Sequence, residues 1–325
     1  MPKLRELSQI AFKVETTEGT AVSLANTDAT MPVYDITYTP GVEFYQRDTR
    51  SSTFSRFTGT AGKRMATIGF KFDLIGLLDG SRGKPAWATL MLASGLVASN
   101  TGSAAVTYTP TTTWDPATAS ATVFPSLTMG YYTDGRYRAI VGARPSKFAI
   151  VGEAGKPLRG EVEFIGAAAA SPSSVALLSV TYETFTNTPP IFAGAALSCG
   201  TLSTAEALVS SFTLDWGLTT TIRDDANSAS GYRSAMVVNR KPTFTFDPEM
   251  TTTTESDFYA EMIAGTTGAL ALAVGSTNNK VSIAAPVLQY TNMAEGDRGG
   301  ILTANMTCDL CRSSGNDEFT IVLGT

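Results

Sequence analysis

The chain has 325 residues, 43% of them hydrophobic and only 16% charged, with a formal net charge of −5. That length accommodates two domains of ordinary size, each able to bury its own core. The sequence holds no histidine, which excludes a Ser-His-Asp triad, a Cys-His pair and histidine-ligated zinc. The acidic balance excludes a basic field able to hold a phosphate backbone.

Met1 to Val14 carries Lys3, Arg5 and Glu6 without a continuous apolar core, so no signal peptide is expected. No apolar run has the length that spans a bilayer. These features predict a soluble protein made in a cytoplasm, with no membrane insertion. Tyr34, Ile36 and Tyr38 alternate with Asp35 and Thr37, and Ile68, Phe70, Phe72 and Leu74 alternate with Gly69, Lys71 and Asp73. Both runs have the period of a half-buried strand. Between them lies Gln46 to Met65, long, poorly patterned and charged, which reads as a loop. A helix is predicted over Ala86 to Leu92, opened by Pro85 and closed by Gly95, with Trp87, Leu90 and Met91 on one face. Leu127 to Tyr131 and Tyr137 to Val141 flank Thr133-Asp134-Gly135 and predict a hairpin. Phe148 to Val151, Glu153 to Lys156 and Val162 to Phe164 predict a second.

Much of this order then recurs. Arg47-Asp48 precedes Phe70-Lys71-Phe72-Asp73 at nearly the spacing by which Arg223-Asp224 precedes Phe244-Thr245-Phe246-Asp247. Ile36 stands before the first pair as Phe212 stands before the second. A second poorly patterned stretch, Thr219 to Ala235, matches the first. Ser256-Asp257 is placed to cap a helix through Gly265, with Phe258, Met262 and Ile263 on its apolar side. Leu270 to Val274, Val281 to Ile283, Val287 to Tyr290 and Ile301 to Met306 predict strands, the last after a turn at Glu295-Gly296-Asp297. Collinear anchors with similar gaps signal a duplicated unit. The predicted division is residues 1–175 and 176–325, each a β domain with one helix covering its sheet.

The sites of chemistry are few. Cys308-Asp309-Leu310-Cys311 has the spacing of a metal knuckle, but it lies in a strand-like run, where positions i and i+3 face opposite ways. Together with Cys199 these read as structural cysteines. Asp224-Asp225 and Glu163 could serve an enzyme as acid and base, but no Gly-rich phosphate loop accompanies them. Trp114-Asp115 and Tyr45 could serve a sugar- or receptor-binding β-sandwich module, the main alternative. Adjacent aspartates in a loop are more often solvated or docking charges, and the aromatic candidates are scattered. No catalytic residue, metal or cofactor is assigned.

Phe12 to Ala21, Pro32-Val33, Leu90 to Leu96 and Val106 to Pro110 resemble the major tail proteins, or tail tube proteins, of siphophages. So do Tyr131 to Gly135, Gly142-Ala143-Arg144, Gly155-Lys156-Pro157, Phe164-Ile165-Gly166 and Asn239 to Pro242. The resemblance implies a mainly β fold of two tandem tail-tube-like β-sandwich or split-barrel domains, each with one flanking α-helix. It implies a structural virion protein, not an enzyme. Its copies would form trimeric rings with pseudo-sixfold symmetry, stacked helically into a conduit for DNA ejection. Expected partners are other copies of the chain, a tape measure protein and DNA in the lumen without sequence-specific binding, and tail-tip and terminator proteins. The expected location is the virion tail, after assembly in the host cytoplasm. The two long stretches are the expected contacts between rings or subunits. Their residues are Arg47, Asp48, Arg50, Phe54, Arg56, Phe57, Lys63 and Arg64 in the first, and Arg223, Asp224, Asp225, Tyr232 and Arg233 in the second.

Overall fold

Strand-forming residues dominate the chain, and the computed structural model is accordingly mainly β. It describes residues 4–78, 83–101, 105–113, 124–169, 173–183, 188–202, 208–250 and 257–324. Trp114, Asp115 and Ser256 lie outside the described residues. The strands are β1 (Ser8–Val14), β2 (Tyr34–Arg47), β3 (Phe57–Asp73), β4 (Leu96–Thr101), β5 (Ala105–Pro110), β6 (Leu127–Thr133), β7 (Arg136–Glu153) and β8 (Arg159–Ala168). They continue as β9 (Ala196–Cys199), β10 (Val209–Asp215), β11 (Leu218–Asp224), β12 (Tyr232–Arg240), β13 (Thr243–Pro248), β14 (Thr267–Val274), β15 (Val281–Arg298), β16 (Ile301–Cys311) and β17 (Thr320–Gly324). The α-helices are α1 (Trp87–Ala93) and α2 (Phe258–Ala264).

One order of pairing occurs twice. The main sheet runs β2-β3-β8-β7 and then β10-β13-β16-β15, with the two quartets joined by antiparallel pairing of β7 and β10. In the first, β1 and β6 pair and lead onto the opening part of β7. In the second, β9 and β14 pair and lead onto the opening part of β15. Both β7 and β15 have 18 residues and serve both layers. Such a strand must bend. In β7 the bend falls at Gly142, whose φ is +62°, beside a register shift between Val141 and Arg144. A Cβ at Gly142 would come within 2.6 Å of Ser234, so only glycine fits. The β4–β5 hairpin and β17 stand outside this repeated order. β17 lies between β15 and β5 and so draws the hairpin into the sheet of the second quartet.

The Phe-x-Phe-Asp anchors form equivalent strands, β3 and β13, and point their rings into one buried cluster. Phe72 lies 6.1 Å from Trp87 of α1, and Phe148 packs edge-on to Trp216 at 3.7 Å across the β7–β10 junction. Each such side chain, fully buried, contributes about 1.5–3 kcal/mol. In α1, Trp87, Leu90 and Met91 are buried as the periodicity predicts, and the Trp87 indole N–H donates to the Ile75 carbonyl at 3.0 Å. In α2, the Asp257 carboxylate accepts from the Ala260 amide at 2.9 Å, and Gly265 ends the helix at a φ of +65°. Ile263 does not join the apolar side. It is 71% exposed, and Phe258 is the helix residue that anchors α2.

Three local expectations are corrected. Gln46 to Met65 and Thr219 to Ala235 are not loops throughout but the outer parts of two β-hairpins, β2–β3 and β11–β12, with loops only at 48–56 and 225–231. Most of the first arm faces water on both sides, and the second buries Tyr232, Ser234 and Ala235 only through contacts with distant segments, so the apolar alternation that marks a half-buried strand is absent. The turn expected at Glu295-Gly296-Asp297 falls at Gly299-Gly300, where φ is +64° and +92°. The runs Tyr137 to Val141 and Phe148 to Val151 are one bent strand.

Candidate assembly interface

The two outer hairpins are arms that leave the sheet at the same end. In the first, pairing runs from Gly41 opposite Met65 out to Arg47 opposite Phe57. Gly59 and Gly62 leave this part of β3 without side chains, and the Tyr45 ring occupies the space over Gly62, where a Cβ would meet it at 2.3 Å. The second arm pairs Leu218 with Arg240 at its base and Asp224 with Tyr232 near its tip.

The arms lie against each other. Lys63 forms an ion pair with Asp224 at 2.8 Å, and its ammonium sits 5.3 Å from the centre of the Tyr232 ring. The Tyr232 hydroxyl donates to Glu43 at 2.7 Å, and the Tyr45 hydroxyl donates to the other oxygen of the same carboxylate at 2.8 Å. The Arg64 amide donates to the Ser230 carbonyl at 2.9 Å. The two phenol hydrogen bonds hold the Glu43 carboxyl below its usual pKa, and the bond to Asp224 holds the Lys63 ammonium above its own.

A buried charge cluster fixes the second arm to the body. Arg144, 2% exposed in its side chain, meets Glu18 at 2.7 Å and also donates to the carbonyls of Ala235 and Phe124. Arg223 reaches the other Glu18 oxygen at 2.5 Å and the Ser234 hydroxyl at 2.7 Å. Burial alone would raise the Glu18 pKa. The hydrogen bond and charge of Arg144, the Ser234 hydroxyl and the Arg223 charge outweigh it, so the carboxyl sits below its usual range. Nearby Glu15 accepts from the Gly142 and Gly19 amides, each at 2.7 Å, and from Ser126 and Thr128. No cation pairs with it among the described residues, and burial pushes its pKa up despite those bonds.

The residues selected from sequence therefore divide. Lys63, Arg64, Arg223, Asp224, Asp225, Tyr232 and Arg233 have partners inside the chain, including a 3.5 Å contact between Arg233 and Asp225 and an Arg64 bond to the Ala168 carbonyl. Tyr232 is among the expected contacts between rings or subunits. It is already buried, 5% exposed, against the first arm. Arg47, Asp48, Arg50, Phe54, Arg56 and Phe57 remain exposed at the tip of the first arm, where the Arg47 guanidinium lies 5.7 Å from the Phe57 ring. Phe44, Tyr45, Phe54 and Phe57 are large aromatic rings left in solvent along that arm. Sequence reading missed Phe44, Glu43, Glu18 and Arg144. The Glu43-Phe44-Tyr45 run carried a signal, two adjacent aromatics flanked by charge. The pairing of Glu18 with Arg144 and Arg223 joins distant segments and left none.

Among the described residues, no three acidic or cysteine side chains converge to hold a metal ion. Cys308 points into the core beside Cys199, while Cys311 is partly exposed on the other face of β16. Asp224 and Asp225 are spent on Lys63 and Arg233. No described helix is long and apolar enough to cross a membrane.

What remains is a β scaffold with two cohering arms, one carrying an exposed aromatic and cationic tip. No curated protein sequence matches the chain. A family model, described as phage tail tube protein, matches residues 6–309, nearly the whole sequence and both strand quartets. The chain belongs to the phage tail tube protein family, and it is a structural component of the phage tail.

Proposed function

We propose that the chain is two fused tail-tube modules, and that three copies close into a ring whose stacking builds the wall of a conduit for DNA. The observation that carries this reading is a pair of unused strand edges. On β7, β6 takes one edge as far as Ala143 and β10 continues along it from Ala149 to Glu153. On β15, β14 takes the corresponding edge as far as Gln289, and among the described residues no strand continues along it. At the other end of the eight-strand order, β2 pairs with β3 alone, whereas its counterpart β10 pairs with both β13 and β7.

The free edges are thus the counterparts of the two strands already joined inside the chain. Repeating that junction between copies pairs β15, over roughly residues 291–296, with the opening residues of β2 in the next copy. This contact is heterologous, and a heterologous contact closes into a ring when its rotation permits. It also removes two exposed edges that would otherwise template aggregation. The net charge of −5 per copy suits a wall past which DNA slides, because each phosphate neutralised by the protein would add affinity.

Two measurements test the reading. Negative-stain microscopy of the purified chain at increasing concentration should show rings and then tubes, and a monodisperse monomer throughout would overturn it. Hydrogen exchange should slow by at least tenfold at residues 34–38 and 291–296 when tubes form. Unchanged exchange there in tubes would refute this edge pairing.

A further inference from the structure

The repeated order gives the chain two arms and two opposing turns, and only one of each is left unsatisfied. Asp73 pairs with Arg159 and Ser211 pairs with Glu153, so the turn between β7 and β8 lies at the end of the sheet away from the arms. Phe246 pairs with Met306 and Thr243 with Asp309, which places the β15–β16 turn at that same far end. The β7–β8 turn is polar and self-neutralised, with Lys156 2.6 Å from Glu153. The β15–β16 turn differs. Ile301 and Leu302 are about half exposed, 49% and 50%. Glu295 and Asp297 are exposed and form no ion pair among the described residues, while the neighbouring Arg298 is engaged by Asp247 and Glu249 at 3.0 and 3.2 Å. Asp297 stands directly opposite Leu302, and Glu295 two residues away shares its face. One side of this hairpin end therefore shows two carboxylates beside an uncovered leucine.

The arms show the complementary contrast. The second arm has its charges paired and its tyrosine buried. The first arm ends in Arg47, Arg50 and Arg56 against the single acid Asp48, none in an ion pair among the described residues, with Phe44, Phe54 and Phe57 exposed between them. A cationic aromatic tip at one pole matches an acidic apolar turn at the other. The two poles face opposite ways along the strands, so one copy cannot satisfy both, while copies stacked head to tail can.

We propose that the tip of the β2–β3 arm docks on the β15–β16 turn of a second copy in the adjacent ring. Phe54 and Phe57 cover Leu302 while Arg47, Arg50 and Arg56 face Glu295 and Asp297. The proposal rests on the reading that copies stack, and it names the acceptor. The aromatics supply most of the affinity, and the charges set the register and exclude the β7–β8 turn. Because only one arm and one turn per copy are so equipped, three such contacts join each pair of trimeric rings.

A charge-reversal pair tests it. Arg47→Glu with Arg50→Glu, on one side, and Glu295→Lys with Asp297→Lys, on the other, should each raise the protein concentration needed for tubes at least tenfold. Combining all four should restore assembly toward the wild-type value. If the arm variant alone assembles normally, the arm has no part in stacking. If the arm variant fails, the turn variant assembles normally and the combination does not rescue, stacking by the arm stands and this acceptor is wrong. All these positions are exposed, and circular dichroism checks that each variant folds. As a second readout, a photo-reactive phenylalanine analogue at Phe54 in assembled tubes should crosslink to the peptide spanning residues 295–302. Crosslinks confined to another surface would overturn the proposal.

Discussion

Lys63 on the first arm and Asp224 on the second are joined across 2.8 Å, yet the Tyr232 ring beneath them holds the arms together. The ion pair is largely exposed, 32% and 67% in its two side chains, whereas Tyr232 is 5% exposed. An exposed pair of this kind contributes little. Truncating a buried aromatic removes about 3–5 kcal/mol.

Lys63→Ala should therefore shift the urea midpoint only slightly, Tyr232→Ala strongly, and Tyr232→Phe by an intermediate amount through loss of its hydrogen bond to Glu43. Equilibrium unfolding of the three variants checks the ranking. A larger effect from Lys63→Ala would mean that charge, not the buried ring, holds the arms.

The Glu18 cluster predicts a response to acid. Its folded pKa lies below the ordinary value of 4.5, so its contribution is complete above that value and is lost as pH falls through the folded value. Glu15 has the opposite sign. Its raised value means that stability is lost as pH rises through it, since the buried carboxylate must then ionise. Glu18→Gln should lower stability at neutral pH by about 3–5 kcal/mol, because Arg144 keeps its charge in a buried site without its counter-charge. The melting temperature of the variant should also fall less than that of the wild type between about pH 5 and about pH 2. Parallel acid limbs for the two proteins would show that Glu18 is not the titrating group.

Strand β17 carries more stability than its length suggests. Phe319, just before it, and Ile321 and Leu323 within it are each fully buried, and among the described residues only β17 connects β15 to β5. Three such side chains are worth about 5–9 kcal/mol, the size of a whole domain's stability. Removing the chain from Phe319 onward should abolish cooperative thermal unfolding measured by circular dichroism. A truncated protein with a sharp, near-native transition would show that the β4–β5 hairpin needs no cover.

The strand quartets were legible because they are half buried. Phe70-x-Phe72-Asp73 and Phe244-x-Phe246-Asp247 keep a period of two against one core, and Asp134-Gly135 marks its turn with φ of +37° and +75°. The arms were not legible as strands. Thr58 to Lys63 and Thr219 to Thr221 have no buried face, so pairing is their only order, and pairing leaves no trace in composition. One anchor was misjudged through unequal spacing. Ile36 was matched with Phe212, but Phe212 pairs with Phe246, while Ile36 adjoins the Thr37–Gly69 pair. Its counterpart by register is Leu214, opposite Phe244. The difference lies on the arm side of the strands: Ile36 stands 11 residues before Arg47, whereas Leu214 stands 9 before Arg223. The exposed tip residues were recognised by charge and aromatic content. Which of them the chain itself would satisfy depended on the second arm lying beside the first, a tertiary fact with no local signature.

The pairing of Tyr108 with Ile321 spans 213 residues. At ribosomal speeds of about 5–20 residues per second, β5 emerges roughly 10–40 s before the strand that completes it. Throughout that interval the nascent chain presents an unpaired β5 edge with Val106 and Tyr108 uncovered by β17. A polysome making this protein thus holds a row of matching sticky edges close together, a setting that favours contacts between neighbouring nascent chains and calls for a chaperone that shields extended segments. Closing that edge is a late, long-range step, so the folding of the chain is governed by the arrival of β17.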